Sequence, residues 1–255
     1  VKQTISYALG RPLESPTFAA GAIRFPLTVA GIMVRVHEAL EEDKAFDDVT
    51  TIATVVSTRR ARARLVAREP GVIAGVPLAL ATFHLLDPMV EIRVDADDGD
   101  AVERGDTVLF LSGHARGMLS AERTALNFMQ HLSGIATLTR RFVDAVRGTG
   151  AAILDTRKTT PAWRRVEKYA VRCGGGVNHR GDLASAVLIK DNHLAAVDGD
   201  VAIAIRRVRE YADSTIAIQV ECDSPAQVHV AVAERADSVL LDNMSPEDVV
   251  RARAI

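Results

Sequence analysis

The sequence predicts an α/β protein built in two parts, and three observations predict it. Short strand-like runs separated by turn dipeptides fill the stretch between residues 63 and 113, the pattern of a small, largely antiparallel sheet. After Gly148-Thr149-Gly150 the rhythm changes to continuously apolar, β-rich runs alternating with helical segments, the pattern of parallel strands covered by helices. Each of those later runs ends in charge, and in a parallel barrel such ends share one rim.

Taken in order, an amphipathic helix is expected from Ile32 to Leu40, running into the acidic "EEDKAFDDVTT" with a helix cap at Asp48 or Thr50. The strands are "ARLVARE", "GVIAG", "EIRVDAD" and "TVLFLSG", divided by Pro70-Gly71, Asp98-Gly99 and Gly105-Asp106. "DGDAVERGDTV" resembles the hairpin of biotinyl-type carrier domains without their Met-Lys-Met tip, so it reads as scaffold. Residues 117–148 read as two helices broken near Ser133-Gly134, with Arg123 beside Glu122 as a surface ion pair. Four strand–helix units follow: "AAILDT" with "PAWRRVEKYAVRC", "SAVLIKD" with "VAIAIRRVREYA", "TIAIQVEC" with "AQVHVAVAERA", and "SVLLDN" with "EDVVRARAI". Thr160-Pro161 is read as the cap and first turn of its helix, and Ser224-Pro225 and Ser245-Pro246 are read likewise.

Composition narrows the function. A net charge of −2 argues against a surface dominated by nucleic-acid binding, so cationic clusters must be local sites. Two cysteines, Cys173 and Cys222, without C-x-x-C spacing suit a reducing, cytoplasmic setting and a structural role. The stretch Thr17–Val36 is too broken by Arg24, Pro26 and Arg35 to span a membrane.

The strand ends carry the chemistry. They read Asp155, Arg157 and Lys158; Lys190 and Asp191; Glu221 and Asp223; and Asp242, with "GGGVNHRGD" adding His179 and Arg180. Adjacent cations at a strand-to-helix hinge repel each other and add to the positive helix terminus, which is sensible only beneath an anion. Guanidinium and ammonium groups bind carboxylate and phosphate. The separated acids Glu221 and Asp242 suit Mg²⁺, which takes one or two carboxylates together with substrate phosphates. The rim therefore reads as a site for a polyanion and a phosphorylated, magnesium-bound partner.

"LSAERTALNFMQHLSGIAT", "DTRKTTP", "KYAVRCGGGVNHRGDL", "LIKDNH", "VECDS" and "LLDN", with "DVTT" and "AREPGVIAG", resemble the quinolinate phosphoribosyltransferase family. The resemblance runs from about Leu27 to Ala254. It implies an N-terminal α/β sandwich domain over 29–134 and an incomplete TIM-like α/β barrel over 135–255, with 1–28 as an extension. The family continues with further strands and phosphate-binding loops, so the C-terminal barrel part is expected to be absent from this chain. The implied reaction transfers phosphoribosyl from phosphoribosyl pyrophosphate to quinolinate, giving nicotinate mononucleotide, pyrophosphate and CO₂. It further implies that Arg157, His179, Arg180 and Lys190 hold quinolinate, and that Lys158 lies at the junction with phosphoribosyl pyrophosphate. Glu221 and Asp242 would face the ribose and Mg²⁺, making Lys158, Glu221 and Asp242 the catalytic set. Arg123 would enter the neighbouring subunit's site in a homodimer or dimer-based oligomer. Rival readings are a molybdate-associated paralogue of the same fold, which should lack the full cation set, an inactive truncated dimer partner, and an anion-binding module without chemistry.

Overall fold

The computed structural model describes residues 24–255; most of the expected extension over 1–28 lies outside the described residues. Two compact units divide between His179 and Arg180, the second being Arg180–Ile255.

The first unit opens with helices α1 (Val29–Glu42) and α2 (Val49–Thr54). Asp48 is the cap of α2, accepting from Thr51 N–H at 2.9 Å and from the Ser120 hydroxyl at 2.8 Å. Strands β1 (Arg60–Val66) and β2 (Gly71–Val72) follow, then helix α3 (Val76–Leu86), strands β3 (Glu91–Val94), β4 (Ala101–Val102) and β5 (Thr107–His114). β1, β5 and β3 form the expected antiparallel sheet, and β2 pairs with β4. The sheet's inner residues Ile92, Leu109 and Leu111 pack with Leu80 and Phe83 of α3 and with Met118, Ala121 and Ala125 of the next helix. α3 was not anticipated. Its residues from Val76 to Phe83 are all buried, so the apolar run has no polar face to reveal its period.

The two helices expected over 117–148 are one, α4 (Ala115–Ala145, 31 residues). Ser133 does not stop it, because its hydroxyl turns sideways to accept from Ala74 N–H at 3.0 Å and donate to Ala74 C=O at 3.2 Å. Gly134 is an exposed helix position with open space around it.

Helix α5 spans Arg164–Cys173, three residues later than the Thr160-Pro161 cap implied. Residues 161–163 form a turn containing Ala162 at φ +65°, and Thr160 N–H goes to the Glu167 carboxylate at 3.1 Å. "AAILDT" does not become a full strand. Among the described residues it makes one parallel bridge, Leu154 with Val177. Gly174 and Gly176, between α5 and that bridge, are forced by close approach. A Cβ on Gly174 would lie 2.4 Å from the Ala136 carbonyl of α4, and one on Gly176 would lie 2.6 Å from Val171.

The second unit comprises β6 (Val187–Ile189), α6 (Asp191–Ala195), α7 (Val201–Tyr211), β7 (Ile218–Cys222), α8 (Pro225–Ala233), β8 (Ser238–Leu241) and α9 (Pro246–Arg253). Its sheet is parallel in the order β6-β7-β8, as the strand–helix alternation predicts. Ile189, Val220, Cys222, Ile205 and Val228 form its core. Ser245 caps α9 by accepting from Asp248 N–H at 3.1 Å. Ser224 occupies the cap position of α8 without a side-chain bond. The short α6 was not anticipated.

Candidate active site

In the first unit the chemistry sits on the segment from Asp155 to Thr160 and on His179. The Asp155 side chain is buried and its Oδ1 receives two donors, the His179 backbone N–H at 2.9 Å and the Lys168 ammonium of α5. Backbone bonds run beside it, Val177 N–H to Ile153 C=O at 2.8 Å and Asp155 N–H to Val177 C=O at 3.1 Å. These ties bring the Arg157-bearing and His179-bearing segments together. Arg157 Nε is buried without a hydrogen-bond partner, as is Asp155 Oδ2. An unpaired buried guanidinium nitrogen is costly unless a ligand completes it. Lys158 is exposed, and its backbone N–H donates to the Thr156 hydroxyl at 3.0 Å.

The far end of that segment is held by Glu167. Its Oε2 accepts from Thr160 N–H and its Oε1 lies 2.9 Å from His131 Nε2 on α4. Burial alone would raise this carboxyl, but the Thr160 and His131 hydrogen bonds outweigh it and the pKa is lowered. His131 and Thr160 border a cleft of about 410 Å³ together with Trp163, Asn127, Glu42 and Asp43. Arg123 lies on α4, exposed, and makes no ion pair with Glu122 among the described residues, which corrects the surface-pair reading.

In the second unit three adjacent strand ends line up. Lys190 follows β6, Glu221 sits in β7 and Asp242 follows β8. Ile189 pairs with Val220 and Glu221 with Leu240, so Lys190, Glu221 and Asp242 share one parity of the pleat while Val220 and Cys222 face the core. Lys190 Nζ stands 3.6 Å from Glu221 Oε2. Asp242 accepts from the Asn243 side chain at 2.7 Å, and its N–H donates to Cys222 C=O at 2.9 Å. Arg180 donates to the Ala186 carbonyl at 2.9 Å. Two carboxylates on neighbouring strand ends are hard oxygen donors. No group of three or more His, Cys, Asp or Glu side chains among the described residues forms an all-protein metal cage. That donor set fits Mg²⁺ held jointly with substrate phosphates.

The family model for the quinolinate phosphoribosyl transferase C-terminal domain matches residues 135–255, and that for the N-terminal domain matches 48–133. The chain belongs to the quinolinate phosphoribosyltransferase family. Relatives in this family include the nicotinate-nucleotide pyrophosphorylase [carboxylating] of Mycobacterium leprae, 48% identical over 82% of this chain and 74% of that one. The probable enzyme of the same name from Methanothermobacter thermautotrophicus is 44% identical over 84% of this chain and 76% of its own length. Among solved structures, NadC from Streptococcus pyogenes superposes with a TM-score of 0.85 at 43% identity, covering 89% of this chain and 80% of that one. The two-domain α/β fold is therefore that of the quinolinate phosphoribosyltransferases.

For this phosphoribosyltransferase, motif reading singles out the cations and acids at the strand ends but not the residues that hold them. The sequence marks Asp155 only as a strand end, and nothing in it sets Glu167, Lys168 or His131 apart. Val166, Tyr169, Ala170 and Cys173 form the buried stripe of α5, and Lys168, nearly opposite that stripe, is buried as well, which no local pattern foretells.

Proposed function

We propose that the chain transfers the phosphoribosyl group of phosphoribosyl pyrophosphate to the nitrogen of quinolinate and releases CO₂, yielding nicotinate mononucleotide and pyrophosphate. The reaction carries the names of the relatives: carboxylating nicotinate-nucleotide pyrophosphorylase and quinolinate phosphoribosyltransferase. It is pentosyl transfer within NAD biosynthesis. The observation that carries it in this chain is the buried, unpartnered Nε of Arg157, next in sequence to Lys158 and on a segment that Asp155 ties to the backbone of His179. Quinolinate bears two carboxylates on adjacent ring carbons, and a bidentate guanidinium with further cations offsets their mutual repulsion.

Arg157, His179, Arg180 and Lys190 would fix the ring so that its nitrogen meets the sugar carbon, with Lys158 between the two substrates. The nitrogen's electron pair forms the new C–N bond while the pyrophosphate oxygen takes the electrons of the bond it leaves. Glu221 stabilises the oxocarbenium-like sugar carbon electrostatically. Mg²⁺ held at Glu221 and Asp242 would supply charge stabilisation to the departing pyrophosphate. The alkylated pyridinium then accepts the electron pair of the adjacent C–CO₂⁻ bond, CO₂ leaves, and that carbon takes a proton from water.

Three further parts belong to this reading. The working unit is a homodimer or dimer-based oligomer with Arg123 contributed in trans, the modules divide near residue 134, and the setting is cytoplasmic. No helix among the described residues is long and apolar enough to cross a membrane.

Protein incubated with Mg²⁺, phosphoribosyl pyrophosphate and quinolinate should give equal amounts of nicotinate mononucleotide and CO₂. With nicotinate instead, kcat/KM should fall by about thirtyfold or more, because a rim cation loses its anionic partner. Comparable turnover of nicotinate removes the quinolinate assignment.

A further inference from the structure

We infer that Lys168 is a positioning residue for the quinolinate pocket, acting through Asp155 on Arg157 and His179 together. The inference rests on the functional reading above.

Lys168 and Asp155 form an ion pair whose side chains are 6% and 5% exposed. Burying two charges carries a desolvation cost, and an apolar pair of similar volume is often at least as stable. A stability role alone therefore explains the pair poorly. What an apolar pair would lack is an acceptor for the His179 N–H, which Asp155 Oδ1 holds at 2.9 Å. One carboxylate oxygen thus fixes the backbone at His179 and sits two residues before Arg157. α5 secures the other side of the cation pair with the preceding residue, Glu167, whose Oε2 accepts from Thr160 N–H. Arg157 and Lys158 lie between these two anchor points, both supplied by one rigid helix.

The ammonium has an electrostatic task as well. Asp155 is an anion close in sequence to a guanidinium that must attract a dianion. Lys168 cancels that charge, so Arg157 presents its full attraction to the substrate. Removing Lys168 leaves an uncompensated buried carboxylate that repels quinolinate and pulls on Arg157.

Calorimetric titration of quinolinate into the wild-type protein and three variants tests this. Lys168→Met should weaken quinolinate binding about tenfold or more, and phosphoribosyl pyrophosphate binding with Mg²⁺ much less. Asp155→Asn with Lys168→Met removes both charges but keeps a carbonyl acceptor for His179 N–H, and should return quinolinate affinity to within about threefold of wild type. Asp155→Leu with Lys168→Met packs apolar groups together; it should match the wild-type melting temperature yet stay about tenfold weak. The double variants carry the test should the single one fail to fold. Wild-type affinity in the stable Leu/Met variant overturns the positioning role. Wild-type protein that binds no quinolinate overturns the functional reading, and this inference with it.

Discussion

At the scale of single residues, the proposed reading gives the acids and the cations at the strand ends separable duties. On that proposal Glu221 and Asp242 serve charges that grow as the glycosidic bond breaks, so their benefit would be greatest in the transition state. Glu221→Gln and Asp242→Asn should each lower kcat by about a hundredfold while changing the quinolinate dissociation constant by less than about threefold. Steady-state kinetics beside calorimetry checks this, and loss of quinolinate binding in both variants contradicts it. The same reading gives the cysteines no such duty. Cys222 is fully buried on the face of β7 opposite Glu221, and burial with the nearby Asp223 charge pushes its thiol up to about 11. Cys173 is pushed up to about 12 by burial and by Asp98. Iodoacetamide at pH 8 should modify neither until the protein unfolds, and Cys222→Ser should keep its turnover; rapid native labelling with loss of activity would assign Cys222 a chemical role. These residues were legible because strand periodicity fixes the side to which each one points. Lys168 was not, because its burial comes from segments 153–155 and 177–179 folding over the polar side of α5, a tertiary event without local signature.

Among elements, α3, α5 and the turn after β3 meet at Asp98. Tyr169 O–H donates to its Oδ2 at 2.7 Å and Val76 N–H to its Oδ1 at 2.9 Å. Burial pushes this carboxyl up to about 7 despite both hydrogen bonds, with the Asp97 charge adding to the rise. A carboxyl whose folded pKa exceeds its unfolded value of 3.8 binds its proton more tightly in the native state. Its contribution to stability is complete below about pH 4 and is lost as pH rises through about 7. Thermal melts should therefore drop by several degrees between about pH 5 and pH 8, roughly 2–3 kcal/mol, and Asp98→Asn should flatten that slope. A slope unchanged in the Asn variant would assign the dependence to other groups. Sequence patterns located most elements and failed where tertiary contacts decide. α4 runs through Ser133-Gly134 because Ser133 bonds to Ala74 instead of capping a helix. "AAILDT" has the composition of a strand but makes one bridge among the described residues.

For the whole molecule, the proposed sharing of Arg123 between subunits makes a quantitative claim. A two-fold dimer holds two sites, each pairing Arg157 of one chain with Arg123 of the other. Mixing Arg123→Ala with Arg157→Ala subunits in equal amounts gives mixed dimers as half the population, each with one intact site, so activity should recover to roughly a quarter of wild type. Tagging one subunit verifies exchange; exchange without recovery places Arg123 in cis or outside the site. The attachment of position 179 bears on what such an enzyme could become. Asp155 grips this residue by its main-chain N–H, which every amino acid but proline possesses. The side chain at 179 can therefore be exchanged without releasing the backbone beneath it. Selection, or a protein engineer seeking a different pyridine acid, has at this position a replaceable reading head on a fixed mount.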